Sequence, residues 1–229
     1  QIVFSPKNKE LFNEAEKLKR EYVIQIEGTV AARPKNMENT ELKTGKIEVL
    51  ISKLDVLSKS KTPPLEIDDR IVANEEIRLK YRYLDLRRPI MQKNLLFRQK
   101  VLQVARKYME DNQFIEIQTP MLVRPTPEGA RDYIVPSRVN PGTFYALPQS
   151  PQLYKQILMI AGFDRYFQLP AICMRDEDLR SDRQPEHSQL DFEMGFVDEN
   201  DIMDLIEGLM KHLLKEILGK TIKEKFAIY

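Results

Sequence analysis

From Gln189 to Phe196 the chain alternates: Leu190, Phe192, Met194 and Phe196 are apolar, and Gln189, Asp191, Glu193 and Gly195 are not. A period of two predicts a strand with one face on a core and the other offering carboxylates to a cleft. Just upstream, Arg175 to Glu186 mixes arginines with carboxylates and holds little that could fill a core, which predicts a loop carried between two apolar elements. A guanidinium presents a planar fork to phosphate and keeps its charge when partly desolvated, so the loop suits an anionic ligand. On charge alone, a solvated hairpin laced with surface ion pairs is the commoner reading.

Elsewhere the pattern divides the chain. Residues 1 to about 57 read as β-rich, with a helix from Asn8 to Arg20 (Leu11, Phe12, Ala15 and Leu18 on one face) and strands from Tyr22 to Ala32 and Lys46 to Leu57. Such a piece suits part of a small barrel. Residues 58–77 read as a linker, since Ser58 to Pro64 holds no packing pattern and the Pro pair favours extended backbone. A helix from Met91 to Met109 follows, with Leu95, Leu102, Ala105 and Met109 along one side, then a strand from Phe114 to Ile117 stopped by Pro120. A helix from Gln152 to Ile160 ends at Gly162. A longer one from Asp201 to Leu218 is expected to take Asn200 as N-cap and Gly219 at its end. Pro170 cannot donate to a sheet ladder, so its strand should bulge or lie at an edge there. The class is α+β.

Composition narrows the picture. With 42% apolar and 31% charged residues over 229 positions, the chain is an ordinary globular sequence, which excludes disordered and fibrous classes. A formal charge of +1 says nothing in favour of a wholesale basic nucleic-acid binder. Between residues 78 and 107, however, Arg78, Lys80, Arg82, Arg87, Arg88, Lys93, Arg98, Lys100, Arg106 and Lys107 meet the lone acid Asp85. That excess could steer a polyanion or form a solvated basic helix face. The lone Cys173 rules out an intramolecular disulfide and fits a reducing compartment. No paired Cys/His spacing suggests zinc, so no metal ligands are expected within the chain. No apolar run reaches membrane length, and no membrane association is expected. The first residues resemble neither a signal nor a transit peptide, and without an initiator Met the chain is expected to begin inside a larger protein.

Two further segments carry candidate chemistry. Pro125 to Ala130 is a stiffened turn with Gly129 beside the acid Glu128. Ser150, Gln152 and Lys155 set a hydroxyl, an amide and an ammonium at the start of an otherwise apolar helix, where Ser150 could also be a plain N-cap.

Together with Tyr81 to Pro89 (YRYLDLRRP), Phe114 to Pro120 (FIEIQTP), Thr126 to Tyr133 (TPEGARDY) and Leu147 to Gln152 (LPQSPQ), the arginine loop resembles the aspartyl-tRNA synthetases of bacterial type, a branch that includes mitochondrial enzymes. The resemblance implies a partial OB-fold anticodon-binding domain over 1–57, a hinge over 58–77, and over 78–229 the N-terminal part of a class II catalytic domain, an antiparallel sheet flanked by helices. That part holds motifs 1 and 2 and lacks motif 3. It implies a homodimer formed through Asn112 to Leu122, with Phe114, Ile117 and Pro120 in the dimer motif. It places Glu128, Ser150, Gln152 and Asp191 around the ammonium of L-aspartate and Lys155 on its side-chain carboxylate. Arg175 would meet the α-phosphate of ATP and the substrate carboxylate, with Asp176, Glu177, Gln184 and His187 completing the nucleotide site. Mg2+ is expected in the intact enzyme, tRNA(Asp) as the acceptor, and the cytoplasm or the mitochondrial matrix as the location. The family's usual Phe is replaced by His187, whose imidazole stacks more weakly and changes charge near neutral pH, so weaker, pH-sensitive ATP binding is expected. The strand before the arginine loop reads one residue longer than the family's. A truncated piece is expected to be inactive alone. An enzyme charging both aspartate and asparagine tRNAs and a non-catalytic tRNA-binding paralogue are the alternatives.

Overall fold

The computed structural model describes residues 1–70, 73–126 and 128–227. They form two compact units, Gln1–Gln92 and Lys93–Tyr229.

The first unit holds β1 (Ile2–Val3), α1 (Lys9–Ala15), β2 (Val23–Ala32), β3 (Ile47–Ser58), α2 (Glu75–Lys80) and α3 (Arg82–Asp85). Its sheet has the order β1-β3-β2, with β1 parallel and β2 antiparallel to β3. The alternating strands form as the sequence predicts, in an open three-stranded sheet. At the bulge after Glu27 the β2 backbone lies so close to β3 that a Cβ on Gly28 would stand 2.3 Å from the Leu50 carbonyl, which requires glycine there.

The expected helix from Asn8 to Arg20 is shorter. The Asn8 side chain caps it by accepting from the Leu11 amide at 3.2 Å, but it stops at Ala15. Lys17 and Leu18 donate back three residues to Glu14 and Ala15, and Glu21 at φ 65° turns the chain toward β2. Between β3 and α2 the described residues hold no helix or strand, yet Leu65 is buried, Glu66 pairs with Arg20, and Asp69 accepts from Arg88 and from the Ile90 amide. Ile71 and Val72, within the expected 58–77 linker, lie outside the described residues.

The basic stretch is far less free than its composition suggests. Asp85 is fully buried beneath Arg78, Arg82 and Arg88, each within hydrogen-bonding distance of one or both of its oxygens. Arg87 pairs with Glu21, Arg106 with Glu116 and Lys107 with Asp111. Much of the predicted basic face is therefore internally neutralised.

The second unit comprises most of α4 (Pro89–Asp111), within which the division falls, and β4 (Ile115–Glu116), β5 (Ile134–Pro136), β6 (Phe144–Ala146), α5 (Gln152–Ile160), β7 (Arg165–Met174), β8 (Glu186–Met194) and α6 (Glu199–Leu218). The main sheet runs β4-β7-β8, with β8 antiparallel to β7. Ala105 and Met109 of α4, Leu205 and Leu209 of α6, Phe114, Phe167 and Leu169 form its core, and Leu190, Phe192 and Met194 of β8 pack against it. The expected bulge is present, the register shifting between Gln168 and Ala171 around Pro170.

Two details correct the sequence reading. Phe196 does not continue the apolar face: β8 ends at Met194, and Phe196 at φ 59° is almost fully exposed. The N-cap of α6 is Asp198, not Asn200, because Asp198 and Asp201 form a reciprocal capping box that starts the helix at Glu199. Gly219 ends that helix in the left-handed region, as expected.

Candidate active site

The polar face of β8 meets α5. Since Leu190, Phe192 and Met194 face the core, Asp191 and Glu193 point to the opposite side. Lys155, one turn into α5, lies over them: its Nζ is 3.0 Å from Asp191 Oδ1 and 3.3 Å from Glu193 Oε2. Ser150, just before the helix, accepts from the Gln152 amide at 3.3 Å and donates to Glu128 Oε2 at 2.7 Å. It therefore supports the helix start from one residue before the N-cap position, Pro151, and also orients an acid. Gln149, buried beside it, donates from Nε2 to Ala130 O at 2.9 Å and Asp132 Oδ1 at 2.6 Å, which ties the Glu128 turn to α5.

The cluster is electrostatically unfinished. Gln149 Oε1 and Asp191 Oδ2 are buried acceptors without a hydrogen-bond partner, a costly condition that a ligand donor would relieve. Burial pushes the Asp191 carboxyl up, and Lys155 opposes this only in part. Burial pulls the Lys155 ammonium down, but its bonds to Asp191 and Glu193 outweigh that and leave it above the ordinary range. Behind them, Tyr166 and Cys173 are fully buried on β7; burial drives the phenol upward and the thiol to about 11. Gln168 Oε1 accepts from Tyr166 Oη, the Thr119 amide and Thr119 Oγ1, fixing the segment after β4 to the floor.

The arginine loop springs from the end of this hairpin. The Arg175 amide donates to Pro185 O at 2.9 Å, closing its neck. Met174 donates to Pro148 O, and Asp176 pairs with Arg131 through its amide at 3.0 Å, so the loop is tied to both the α5 approach and the Glu128 turn. A cleft of about 1090 Å³ lies along the loop, lined by Arg175, Glu177, Gln184 and His187 among others. The cleft also includes Ile172, Glu186 and Ser188, which share the core-side parity of β8 and its partner strand. Cleft and ion cluster thus lie largely on opposite faces of one hairpin. His187, in step with Gln189 and Asp191 yet lining the cleft, is where they meet; its Nε2 is 3.1 Å from Gln189 Nε2. The size of the cleft reflects the span of the loop.

Glu128, Ser150, Lys155 and Asp191 thus join one connected polar region, with Gln152 at the head of α5. Arg175, Glu177, Gln184 and His187 share the cleft, and the backbone of Asp176 is bonded to Arg131. Phe114 lies inside the core, Ile117 is half-buried and Pro120 exposed; the most exposed apolar side chain of the strand is Ile115. Glu193 and Gln149 join this region as well. The alternation of β8 already puts Glu193 on the carboxylate face with Asp191, whereas nothing local marks Gln149 as buried. Among the described residues no group of three or more His, Cys, Asp or Glu side chains forms a metal-binding arrangement.

A family model described as tRNA synthetases class II (D, K and N) matches residues 74–229. The chain belongs to this class II synthetase family. Among its relatives, the aspartate–tRNA(Asp/Asn) ligase of Legionella pneumophila (strain Corby) is 55% identical over 98% of the chain and 38% of that protein. The aspartate–tRNA ligase of Ruminiclostridium cellulolyticum is 55% identical over 99% of the chain and likewise 38% of the relative. The crystal structure of asparaginyl-tRNA synthetase from Pyrococcus horikoshii complexed with asparaginyl-adenylate superposes with a TM-score of 0.77 at 26% identity, covering 96% of this chain and 48% of that one. The chain therefore spans well under half the length of these curated relatives. The synthetase fold class, α+β, agrees with the sequence reading.

Proposed function

We propose that this chain supplies the amino-acid pocket and part of the nucleotide site of an aspartate–tRNA ligase, which joins L-aspartate to ATP and passes the aspartyl group to tRNA(Asp). The observation that carries the reading is Lys155, a nearly buried ammonium facing Asp191 and Glu193 at 3.0 and 3.3 Å. In this proposal aspartate enters by exchanging partners. Its ammonium is received by Asp191, Ser150, Gln152 and Glu128, and its side-chain carboxylate by Lys155. A neutral asparagine amide would leave Lys155 without that anion in a desolvated pocket, at a cost of several kcal/mol.

The α-carboxylate, already ionised at neutral pH, needs no general base. One of its oxygens attacks the α-phosphorus, the bond to the β-phosphate breaks, and pyrophosphate leaves with its electron pair, giving aspartyl-adenylate. Arg175 orients the attacking carboxylate and the α-phosphate and offsets charge on the reacting oxygens. Asp176, Glu177, Gln184 and His187 bear on the nucleotide, His187 stacking on the base. Mg2+ accompanies ATP in this reading. Residues 1–57 would form part of an OB-type anticodon-binding domain, 58–77 a hinge and 78–229 the start of the catalytic domain. The full protein would act as a cytoplasmic homodimer. A second reading, charging of both aspartate and asparagine tRNAs, is supported by the name of the Legionella relative.

The test is aspartate-dependent exchange of pyrophosphate into ATP by the full-length protein and its Lys155→Met variant. Wild-type exchange with aspartate and none with asparagine is expected, and the variant should lose at least about a hundredfold in kcat/KM for aspartate. Equal use of asparagine by the wild type, or an unimpaired variant, overturns the reading. Charging of purified asparagine tRNA separates the second reading from the first.

A further inference from the structure

We infer that Arg98 is a positioning residue for the nucleotide half of the site, acting through Ser188; this rests on the proposed ligase reading. Its Nη2 donates to Ser188 Oγ at 3.0 Å, joining α4 to β8 across 90 residues of sequence. The contact lies one residue from His187 and two from Glu186, where the strand opens into the arginine loop, and Arg98 shares the cleft with Arg175, Gln184 and His187.

Arg98 and Ser188 are both exposed, and three features set their contact apart from other hydrogen bonds at the surface. First, the loop end of β8 is met by a side-chain contact on each of its two faces. On the polar face His187 meets Gln189; on the core face, at the next residue, Ser188 meets Arg98. Second, the apolar packing between α4 and the sheet comes from the C-terminal half of the helix, at Ala105 and Met109. Leu95, Leu96 and Phe97 remain 53%, 64% and 49% exposed, so Arg98 supplies a polar link where apolar packing has given out. Third, among the described residues no carboxylate lies within ion-pair distance of Arg98, unlike Arg78, Arg82, Arg87, Arg88 and Arg106 on the same stretch. Its guanidinium is directed to the strand rather than consumed in a charge pair. Removing it frees the strand at the point that aims His187 and the neck carrying Arg175, while Lys155, Asp191 and Ser150 stay in place on the opposite face.

The experiment measures pyrophosphate exchange by full-length wild type, Arg98→Ala, Arg98→Lys and Ser188→Ala, varying ATP and aspartate separately. Exchange by the wild type decides the ligase reading independently of any variant. We expect Arg98→Ala to raise KM for ATP by about tenfold with KM for aspartate changed less than about twofold, Arg98→Lys to recover part of the loss, and Ser188→Ala to act in the same direction. The double variant should be no worse than Arg98→Ala, since both remove one link. If Arg98→Ala does not fold, Ser188→Ala carries the test alone. Unchanged KM for ATP in Ser188→Ala, equal increases for both substrates, or strictly additive losses overturn the inference.

Discussion

Asp85 and Asp191 are both aspartates withdrawn from solvent beside cationic side chains, and their surroundings lead to opposite ends. Asp85 receives four hydrogen bonds from three guanidiniums, two on each oxygen, at 2.8 to 3.3 Å. Asp191 receives one charged donor, Lys155, keeps Oδ2 unpartnered, and has Glu193 as a like-charged neighbour. Bonding from Arg78 first, and from Arg88 with it, holds the Asp85 carboxyl below the usual range despite burial. At Asp191 burial prevails and the carboxyl is pushed up. A saturated carboxylate holds structure together; an unsaturated one has capacity left for a ligand.

The largest effect expected to test this contrast is on stability. Asp85→Asn removes the charge that holds three arginines together, and should cost about 3 kcal/mol in urea unfolding, the low end for a broken buried ion pair because two of its partners, Arg78 and Arg82, border solvent. At temperatures where that variant is folded, KM for aspartate should be unchanged. Asp191→Asn should do the reverse, sparing stability while raising KM for aspartate at least about tenfold. Exchange of these two phenotypes would abolish the distinction.

Titration sharpens it. A carboxyl held below its unfolded value contributes stability that is present above the ordinary aspartate range near pH 4 and is lost as pH falls through the folded value. Asp85→Asn should therefore flatten the acid limb of the stability curve. For Asp191 the sign is opposite: the folded state takes up its proton first, so the group favours folding as pH falls through the raised value. If ionised Asp191 receives the substrate ammonium, affinity for aspartate should weaken over that same interval, which calorimetric titration across it would detect.

The smallest effect concerns scaffold alone. Asp198→Ala removes the capping box of α6 and should lower stability by about 1 kcal/mol without altering either KM.

Much of this was legible in the sequence wherever a periodic pattern could be read locally. The alternation of Leu190, Phe192 and Met194 with Asp191 and Glu193 gave both faces of β8, and Gly219 and Gly162 marked the ends of α6 and α5. The reading failed where the partner is distant or the backbone turns. Phe196 continued the period but not the strand. The arginines of α2 to α4 suggested a free basic face because composition does not reveal that a turn folds Arg78, Arg82 and Arg88 over Asp85. Gln149 stood in a quoted motif without any cue that its side chain would be buried. Such sites are defined by tertiary convergence, which no spacing along one segment encodes.

The backbone pair between Asp176 and Arg131 has a mechanical meaning of its own. Arg131 lies three residues after Glu128, and Asp176 follows Arg175 directly, so the 3.0 Å hydrogen bond from the Asp176 amide to the Arg131 carbonyl links two loops otherwise 45 residues apart in the chain. Neither loop can swing outward alone without giving up that pair. The start of the arginine loop and the Glu128 turn are thereby held to each other directly, through the backbone.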